Sequence, residues 1–144
     1  DRGILAYVTN GGYIDGNSAD GIRKSLVKDF DHLYVFNFRG NARGAGDLRK
    51  REAGNVFGGG SRTTVAVLLA IKDPAHTGAC ELHYRDIGEY LSREQKLKII
   101  ETANLTGEGW QELDPNDKGE WLNQSSGEFQ NFAPLGDKGK SFRR

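Results

Sequence analysis

The sequence predicts an α/β domain in which at least two strands are parallel. Residues 3–9 (GILAYVT) and 33–38 (LYVFNF) are short apolar segments of strand-forming residues, separated by an amphipathic stretch of helical length. A strand, a helix and a second strand in this order form a right-handed crossover, which makes the two strands parallel. A third apolar segment, residues 62–72 (RTTVAVLLAIK), predicts another strand whose orientation the pattern leaves open.

The first strand and the first helix follow from hydrophobic spacing. The nearly continuous apolar character of residues 3–9 is typical of a strand that is buried on both faces. A helix is predicted for about residues 19–30, with Ser18 or Asp20 as its cap. Its buried face should carry apolar residues and its solvent face basic ones: Ile22, Leu26, Val27 and Phe30 against Arg23, Lys24 and Lys28.

The pattern is weaker after the third strand. Residues 79–85 (ACELHYR) alternate and predict an edge or hairpin strand. Residues 92–95 (SREQ) form a capping box that opens a helix ending near residue 103. Irregular structure is expected from residue 104, with a mobile end at residues 136–144. The inward residues of the second helix are predicted to be Leu97, Ile100 and Ala103.

Composition limits the possible functions. Twenty basic and 20 acidic residues leave no formal net charge, which argues against a wholly basic nucleic-acid-binding domain. A single cysteine excludes an internal disulfide framework and a multi-cysteine zinc site. No apolar run reaches the ~18 residues of a membrane span, so a cytoplasmic location without a membrane partner is expected. The abrupt apolar start suggests a domain cut from a longer polypeptide.

The region between the second and third strands carries the strongest functional signal. Residues 39–61 contain seven glycines, and five basic residues stand against two acidic ones between Arg39 and Glu52. Glycine lets the backbone approach a phosphate, and arginine offers bidentate contacts. Because parallel strands end at one edge of a sheet, this loop should lie beside residues 10–18, where open α/β sheets bind ligands. A surface insertion without function is the alternative. The candidate nucleic-acid-binding residues are Arg39, Arg43, Arg49, Arg51, Arg62, Asn10 and Tyr13.

Other residue types predict no second site. Residues 54–61 (GNVFGGGS) are superficially similar to a phosphate-binding P-loop, but they lack its lysine and lead into a strand. The three histidines are scattered, so no metal site is expected. The cysteine and both tryptophans are expected to pack in the interior. These residues are His32, His76, His83, Cys80, Trp110 and Trp121.

Several segments together resemble the type I single-polypeptide (type ISP) restriction-modification enzymes, which are helicase-methylase fusions. The similarity spans roughly residues 3–135 and is to the later half of their adenine-specific DNA methyltransferase domain and the stretch after it. NVFGGGSRT and YLSREQKL are its most specific parts. The segments are residues 3–16 (GILAYVTNGGYIDG), 33–43 (LYVFNFRGNAR), 55–73 (NVFGGGSRTTVAVLLAIKD), 83–97 (HYRDIGEYLSREQKL) and 132–138 (FAPLGDK).

The resemblance implies a Rossmann-like methyltransferase sheet of seven strands, of which this chain holds the last three. The strand at 62–72 would lie antiparallel between the other two. Residues 1–73 would be the C-terminal half of the methyltransferase domain, and residues 74–144 an extension towards the DNA-recognition region. The parent's cofactor would be S-adenosylmethionine. Its partners would be double-stranded DNA and the remaining methyltransferase half in the same polypeptide, and its role would be bacterial defence.

The chain also departs from the family. Its three prolines are isolated, so the catalytic Asn-Pro-Pro-aromatic tetrapeptide is absent, as are the aromatic-x-Gly-x-Gly cofactor motif and the helicase motifs. No catalytic or cofactor-binding residue is therefore expected here, and the piece alone should be inactive. A non-catalytic protein-interaction module of a helicase-like polypeptide is the alternative. Exposed sheet edges favour self-association of the isolated piece.

Overall fold

One mixed five-stranded sheet forms the centre of the computed structural model, which describes residues 1–58 and 60–124. None of the helices in these two ranges is long and apolar enough to cross a membrane. The strands are β1 (Gly3–Asn10), β2 (His32–Asn37), β3 (Val65–Lys72), β4 (Glu81–Asp86) and β5 (Gln111–Leu113). The helices are α1 (Asp20–Asp29), α2 (Gly46–Glu52) and α3 (Arg93–Thr102), and short 3-10 turns lie at Gly11–Tyr13 and Asn17–Ala19.

The strand order is β1-β3-β2-β4-β5. β3 pairs antiparallel with both β1 and β2, so β1 and β2 are parallel, and β3 lies between them as the resemblance implied. The interpretation of residues 79–85 as an edge or hairpin strand is wrong. β4 pairs in parallel with β2 and lies inside the sheet, because residues 111–113 return to cover its outer side. The sheet continues across residue 73, so the two expected regions share it.

Helix α1 lies where it is predicted, but its caps and one face are wrong. No side chain caps its N-terminus, so neither Ser18 nor Asp20 does so, and a 3-10 turn leads into the helix instead. Leu26 is buried as predicted, whereas Ile22 is half exposed and Arg23 is only 2% exposed. The guanidinium of Arg23 enters the interior because it donates hydrogen bonds to three backbone carbonyls, those of Tyr13, Gly16 and Gly119.

Helix α3 begins with the predicted capping box. The Ser92 hydroxyl accepts from the Gln95 backbone N–H at 3.3 Å, and the Gln95 side chain accepts from the Ser92 N–H at 2.7 Å. Of the predicted inward residues, Ile100 and Ala103 pack against buried residues, but Leu97 joins neither hydrophobic cluster of the described residues. The fully buried residue of this helix is Lys96.

Two hydrophobic clusters cover the two faces of the sheet. One cluster joins Leu33, Val35, Leu68 and Leu82 to Trp121. The other joins Phe36 of β2, and Phe38 just after it, to α3 and Trp110. Both tryptophans therefore pack as predicted. Cys80 is partly buried, and burial together with the charges of nearby Asp31 and Glu81 raises the pKa of its thiol to about 11, which makes it unreactive at neutral pH.

Strand β1 is the edge of the sheet, which contradicts its predicted burial on both faces. Ile4, Leu5 and Val8 are 72%, 46% and 53% exposed, because no strand of the described chain pairs with its outer side. At the other end of the chain, turns and the short β5 follow residue 104. The predicted mobile end at residues 136–144, and the similarity at residues 132–138, lie outside the described residues.

Candidate nucleic-acid interface

The carboxyl ends of β1, β2 and β4 lie together at one end of the sheet. Residues 10–16, 38–64 and 87–92 leave from or return to this end. The glycine-rich loop and the loop after β1 are therefore neighbours, as the crossover predicts. The backbone N–H of Gly11 donates to the carbonyl of Thr64 at 3.0 Å and joins the two loops. The expectation that residues 39–61 lack secondary structure is wrong, since they contain helix α2.

Arg39 anchors the first turn of the glycine-rich loop. Its Nε lies 2.8 and 3.0 Å from the two carboxylate oxygens of Asp86, and its Nη1 lies 3.3 Å from Glu89 and 3.7 Å from Glu52. Burial opposes the charge, but the hydrogen bond and charge of Asp86, with the other two carboxylates, raise the pKa of Arg39 above its usual value. The backbone of Arg39 is left-handed, with φ 57°. This side chain therefore joins the loop to β4.

Helix α2 is only seven residues long and is fixed by contacts to the residues before α3. Asp47 accepts from the Nε of Arg51 at 2.9 Å and from the Tyr90 hydroxyl at 3.1 Å, and these two hydrogen bonds lower the pKa of Asp47. The backbone N–H of Tyr90 donates to the carbonyl of Arg51 at 2.9 Å. Arg51 is thus paired within the protein.

Lys96 holds the end of α2 against the end of β2. Its ammonium donates to the carbonyls of Phe38 at 3.0 Å and Glu52 at 2.7 Å. Burial lowers the pKa of Lys96, and the Glu52 carboxylate acts in the opposite direction. That carboxylate also accepts from the Asn41 N–H at 3.0 Å. The hydrogen bonds of one lysine thereby fix the base of the loop.

The two most specific segments of the resemblance contact each other. The Asn55 side chain accepts from Phe57 N–H at 3.0 Å and donates to the carbonyl of Thr63 at 2.9 Å, which closes the glycine turn. Arg93, at the start of α3, donates to the carbonyl of Val56 at 3.0 Å. Gly54 packs closely on Arg93: a Cβ added at Gly54 would lie 2.9 Å from the backbone nitrogen of Arg93. Helix α3 therefore supports the turn that presents the exposed Phe57 ring.

The predicted site residues separate into two groups. The side chains of Arg39, Arg51, Asn10 and Tyr13 serve the protein itself. Asn10 accepts from Gly12 N–H at 2.8 Å, and the Tyr13 ring packs edge-on against Trp121 with a buried hydroxyl whose pKa burial raises. The second group is exposed, and none of its side chains has an ion pair among the described residues. It consists of Arg43, Arg49 and Arg62, with Lys50 beside them.

A polar cavity of about 290 Å³ lies between the two loops. Among the residues that the structure describes, its lining includes Asn37, Asn41, Thr64, Glu52 and Asp15 and contains no cation. Amide and carboxylate groups can hydrogen-bond the edge of a base, whereas the acidic side chains disfavour a phosphate in this position. Sequence reasoning missed these residues. Asn37 carries a signal that could have found it, since it is a polar residue at the carboxyl end of an apolar strand.

Among the solved structures similar to this chain, two come from type ISP restriction-modification enzymes. A nuclease-deletion mutant of the type ISP restriction-modification enzyme LlaGI, in complex with a DNA substrate mimic, is 42% identical over 98% of this chain, with a TM-score of 0.87. The ATP-dependent type ISP enzyme LlaBIII bound to DNA is 36% identical over 98%, with a TM-score of 0.87. DrdV in a DNA complex is 34% identical over 89%, with a TM-score of 0.80.

The chain spans only 13%, 10% and 12% of the LlaGI, LlaBIII and DrdV chains, respectively. No protein-family model matches the sequence, and the search of curated proteins finds no match. Over nearly its whole length, the chain is therefore similar in sequence and fold to one segment of the type ISP restriction-modification enzymes.

Proposed function

We propose that this chain is the C-terminal half of an adenine-specific, S-adenosylmethionine-dependent DNA methyltransferase domain within a restriction-modification enzyme. It contributes loops that face DNA, while the catalytic and cofactor motifs belong to the other half of the same polypeptide. The mixed order of β1, β3 and β2 supports this proposal, as do the similar enzymes solved with DNA. In this proposal residues 1–73 supply three methyltransferase strands, and the extension of residues 74–144 adds β4 and β5 to the same sheet and leads towards the DNA-recognition region.

The exposed arginines carry the proposed DNA contact. The loop between β2 and β3 lies at the end of the sheet where β1, β2 and β4 have their carboxyl ends. It carries Arg43, Arg49 and Arg62. Their guanidinium groups are free to bind backbone phosphates, while Arg39 and Arg51 keep the loop in shape through their ion pairs. This separation of free cations from paired ones is the observation on which the proposal depends.

The cavity and the exposed Phe57 suit an extruded base. Enzymes that modify a base rotate it out of the duplex, stack it on apolar side chains and hydrogen-bond its edge. Asn37 and Asn41 line the cavity, and Phe57 offers an exposed ring on the same loop. The Asn37 amide already donates to the Tyr84 hydroxyl and accepts from the Arg39 N–H, but an amide has two donor hydrogens, so one remains for the edge of a base. Contacts from this half would thus position the target adenine, and methyl transfer would depend on the other half.

The decisive measurement is duplex binding by the enzyme that contains this chain, as a function of salt. Each phosphate contact contributes about 0.9 to the slope of log affinity against log salt, so Arg43→Ala, Arg49→Ala and Arg62→Ala together should reduce the slope by about 2.7. The control removes the same charge elsewhere, by Arg2→Ala, Lys28→Ala and Lys98→Ala, and should change the slope much less. An unchanged affinity and slope in the loop variant would contradict the DNA contact.

The same binding assay separates this proposal from a protein-docking loop. Nonspecific duplex DNA should compete with a labelled duplex for the unaltered enzyme and much less for the loop variant, because the arginines contribute sequence-independent binding. A loop that docks protein would leave the two enzymes equally sensitive to competitor DNA.

A further inference from the structure

Chain folding brings two of the three histidines together with a carboxylate at the end of the sheet opposite the candidate interface. His32 begins β2, and Glu81 begins β4 directly opposite it in the parallel register. His83 follows Glu81 by two residues on β4, and alternate residues of a strand lie on the same face. The sequence-based interpretation that the histidines are scattered therefore does not hold in three dimensions.

The donor atoms of this cluster have the spacing of a metal site. Nδ1 of His32 lies 3.1 Å from Oε2 of Glu81, and Nε2 of His83 lies 3.6 Å from the same oxygen. One donor atom from each of the three side chains lies within 4.8 Å of the other two. A tetrahedral zinc ion with bonds of about 2.0–2.1 Å places its ligand atoms roughly 3.3 Å apart. The two separations from Glu81 bracket that value, and the donor nitrogens of His32 and His83 lie within 4.8 Å of each other.

The surroundings orient these rings. Tyr34 stacks on His83, with ring centroids 4.6 Å apart and an interplanar angle of 20°, and His76 packs edge-on against His32 at 4.6 Å. His76 is itself held at 2.9 Å from the carbonyl of Ala79. Ligands fixed by neighbours on rigid strands favour tight coordination.

We propose that His32, Glu81 and His83 bind a single divalent first-row transition-metal ion of the zinc class. Two imidazole nitrogens and one carboxylate oxygen suit such ions, whereas Mg²⁺ and Ca²⁺ select oxygen ligands. The three side chains are 22%, 45% and 21% exposed, so solvent can complete the coordination and the ion can enter directly. The ion would join the start of β2 to the start of β4, at the end of the sheet opposite the candidate interface.

The test is titration of the full chain, free of any histidine tag and treated with a chelator, with ZnCl₂ in a calorimeter. Saturable binding of one ion per chain is expected, and MgCl₂ should not compete. His83→Ala and Glu81→Gln should each weaken zinc binding about tenfold or more. Bound zinc should also raise the midpoint of thermal unfolding of the unaltered chain, and at the same zinc concentration it should raise that of Glu81→Gln by less.

A matched variant separates coordination from general effects of charge. Glu112→Gln removes one carboxylate opposite His83 in the β4–β5 register. It should bind zinc within about twofold of the unaltered chain, whereas His76→Ala removes a ring that orients His32 and should weaken zinc binding. The proposal is overturned if the unaltered chain shows no saturable binding, or if Glu112→Gln weakens binding as much as Glu81→Gln. Co²⁺ bound to the unaltered chain provides a test that does not depend on the folding of any variant. A visible absorption spectrum that shows no nitrogen coordination of this ion would also overturn the proposal.

Discussion

Lys96 and Arg23 are basic residues whose charged groups lie in the interior. Lys96 donates to two backbone carbonyls at the base of the glycine-rich loop, and Arg23 donates to three carbonyls of the turns around α1. Each cation supplies donors to backbone carbonyls of irregular segments, and the carbonyl of Gly16 accepts in addition from the Ala19 N–H at 3.1 Å. Buried polar groups require such partners, because leaving one unpaired costs about 1–3 kcal/mol.

Lys96→Met should therefore destabilise the protein, since it keeps the length of the side chain but removes its donors. The carbonyls of Phe38 and Glu52 would lose this partner, so the free energy of unfolding should fall by about 2–4 kcal/mol. Urea unfolding followed by circular dichroism measures this loss. Lys98→Met, an exposed lysine on the same helix, should change it by less than about 0.5 kcal/mol. Equal effects of the two substitutions would show that the buried hydrogen bonds are unimportant.

At the scale of elements, the loop between β2 and β3 is ordered by contacts to other parts of the chain. Helix α2 is too short to be stable alone, and no side chain caps its N-terminus. Arg39 connects this helix to the sheet by pairing with both Glu52 of α2 and Asp86 of β4. Hydrogen bonds from α3 and the Tyr90 segment hold α2 in the same place. Local sequence predicts strands and the capped α3, but not α2, because the partners of α2 lie about 40 residues away.

Asp31 links the start of β2 to the end of β3, and it makes this junction sensitive to acid. Its carboxylate accepts from the Asp73 N–H at 2.7 Å, and this hydrogen bond, with the charge of Lys72, lowers its pKa. A carboxyl group whose pKa is lower in the folded state stabilises the protein above its unfolded pKa of about 3.9, and this contribution disappears as the pH falls through the folded value.

The difference in unfolding free energy between the unaltered chain and Asp31→Asn should therefore be largest above about pH 5 and should shrink steadily in more acidic solution. Thermal unfolding across a pH series measures it. Asp29→Asn, an exposed carboxylate two residues earlier, is the control and should show a smaller dependence on pH. A difference that stays constant down to the lowest pH would rule out this role of the Asp31 charge.

At the scale of the whole molecule, the most informative feature is the open edge of the sheet. β1 is apolar on both faces yet exposes Ile4, Leu5 and Val8, and no strand within residues 1–58 and 60–124 pairs with the backbone on its outer side. Such an edge is a template for pairing with another strand. The proposed function accounts for this edge, because the other half of a methyltransferase sheet would pair with it.

The isolated chain should for the same reason self-associate as its concentration rises. Ile4→Lys with Val8→Lys should suppress this association, since charge on an edge strand opposes edge-to-edge pairing. Sedimentation velocity over a wide concentration range measures the average mass. Ile22→Lys places the same charge on the half-exposed surface of α1 and should leave association unchanged. A chain that stays monomeric at all concentrations would contradict the role assigned to this edge.

The sequence by itself determined the strands β1, β2 and β3, the parallel crossover and the cap of α3, because hydrophobic spacing and capping are local properties. Through the resemblance it also placed β3 correctly in the sheet. Its prediction that the glycine-rich loop is the functional region stays a prediction. Only the tertiary structure decided that Arg39 and Arg51 are paired, while Arg43, Arg49 and Arg62 have no ion pair with any residue that the structure describes. It alone brought His32 to His83, because ion pairs and ligand sets depend on distances between residues far apart in the chain.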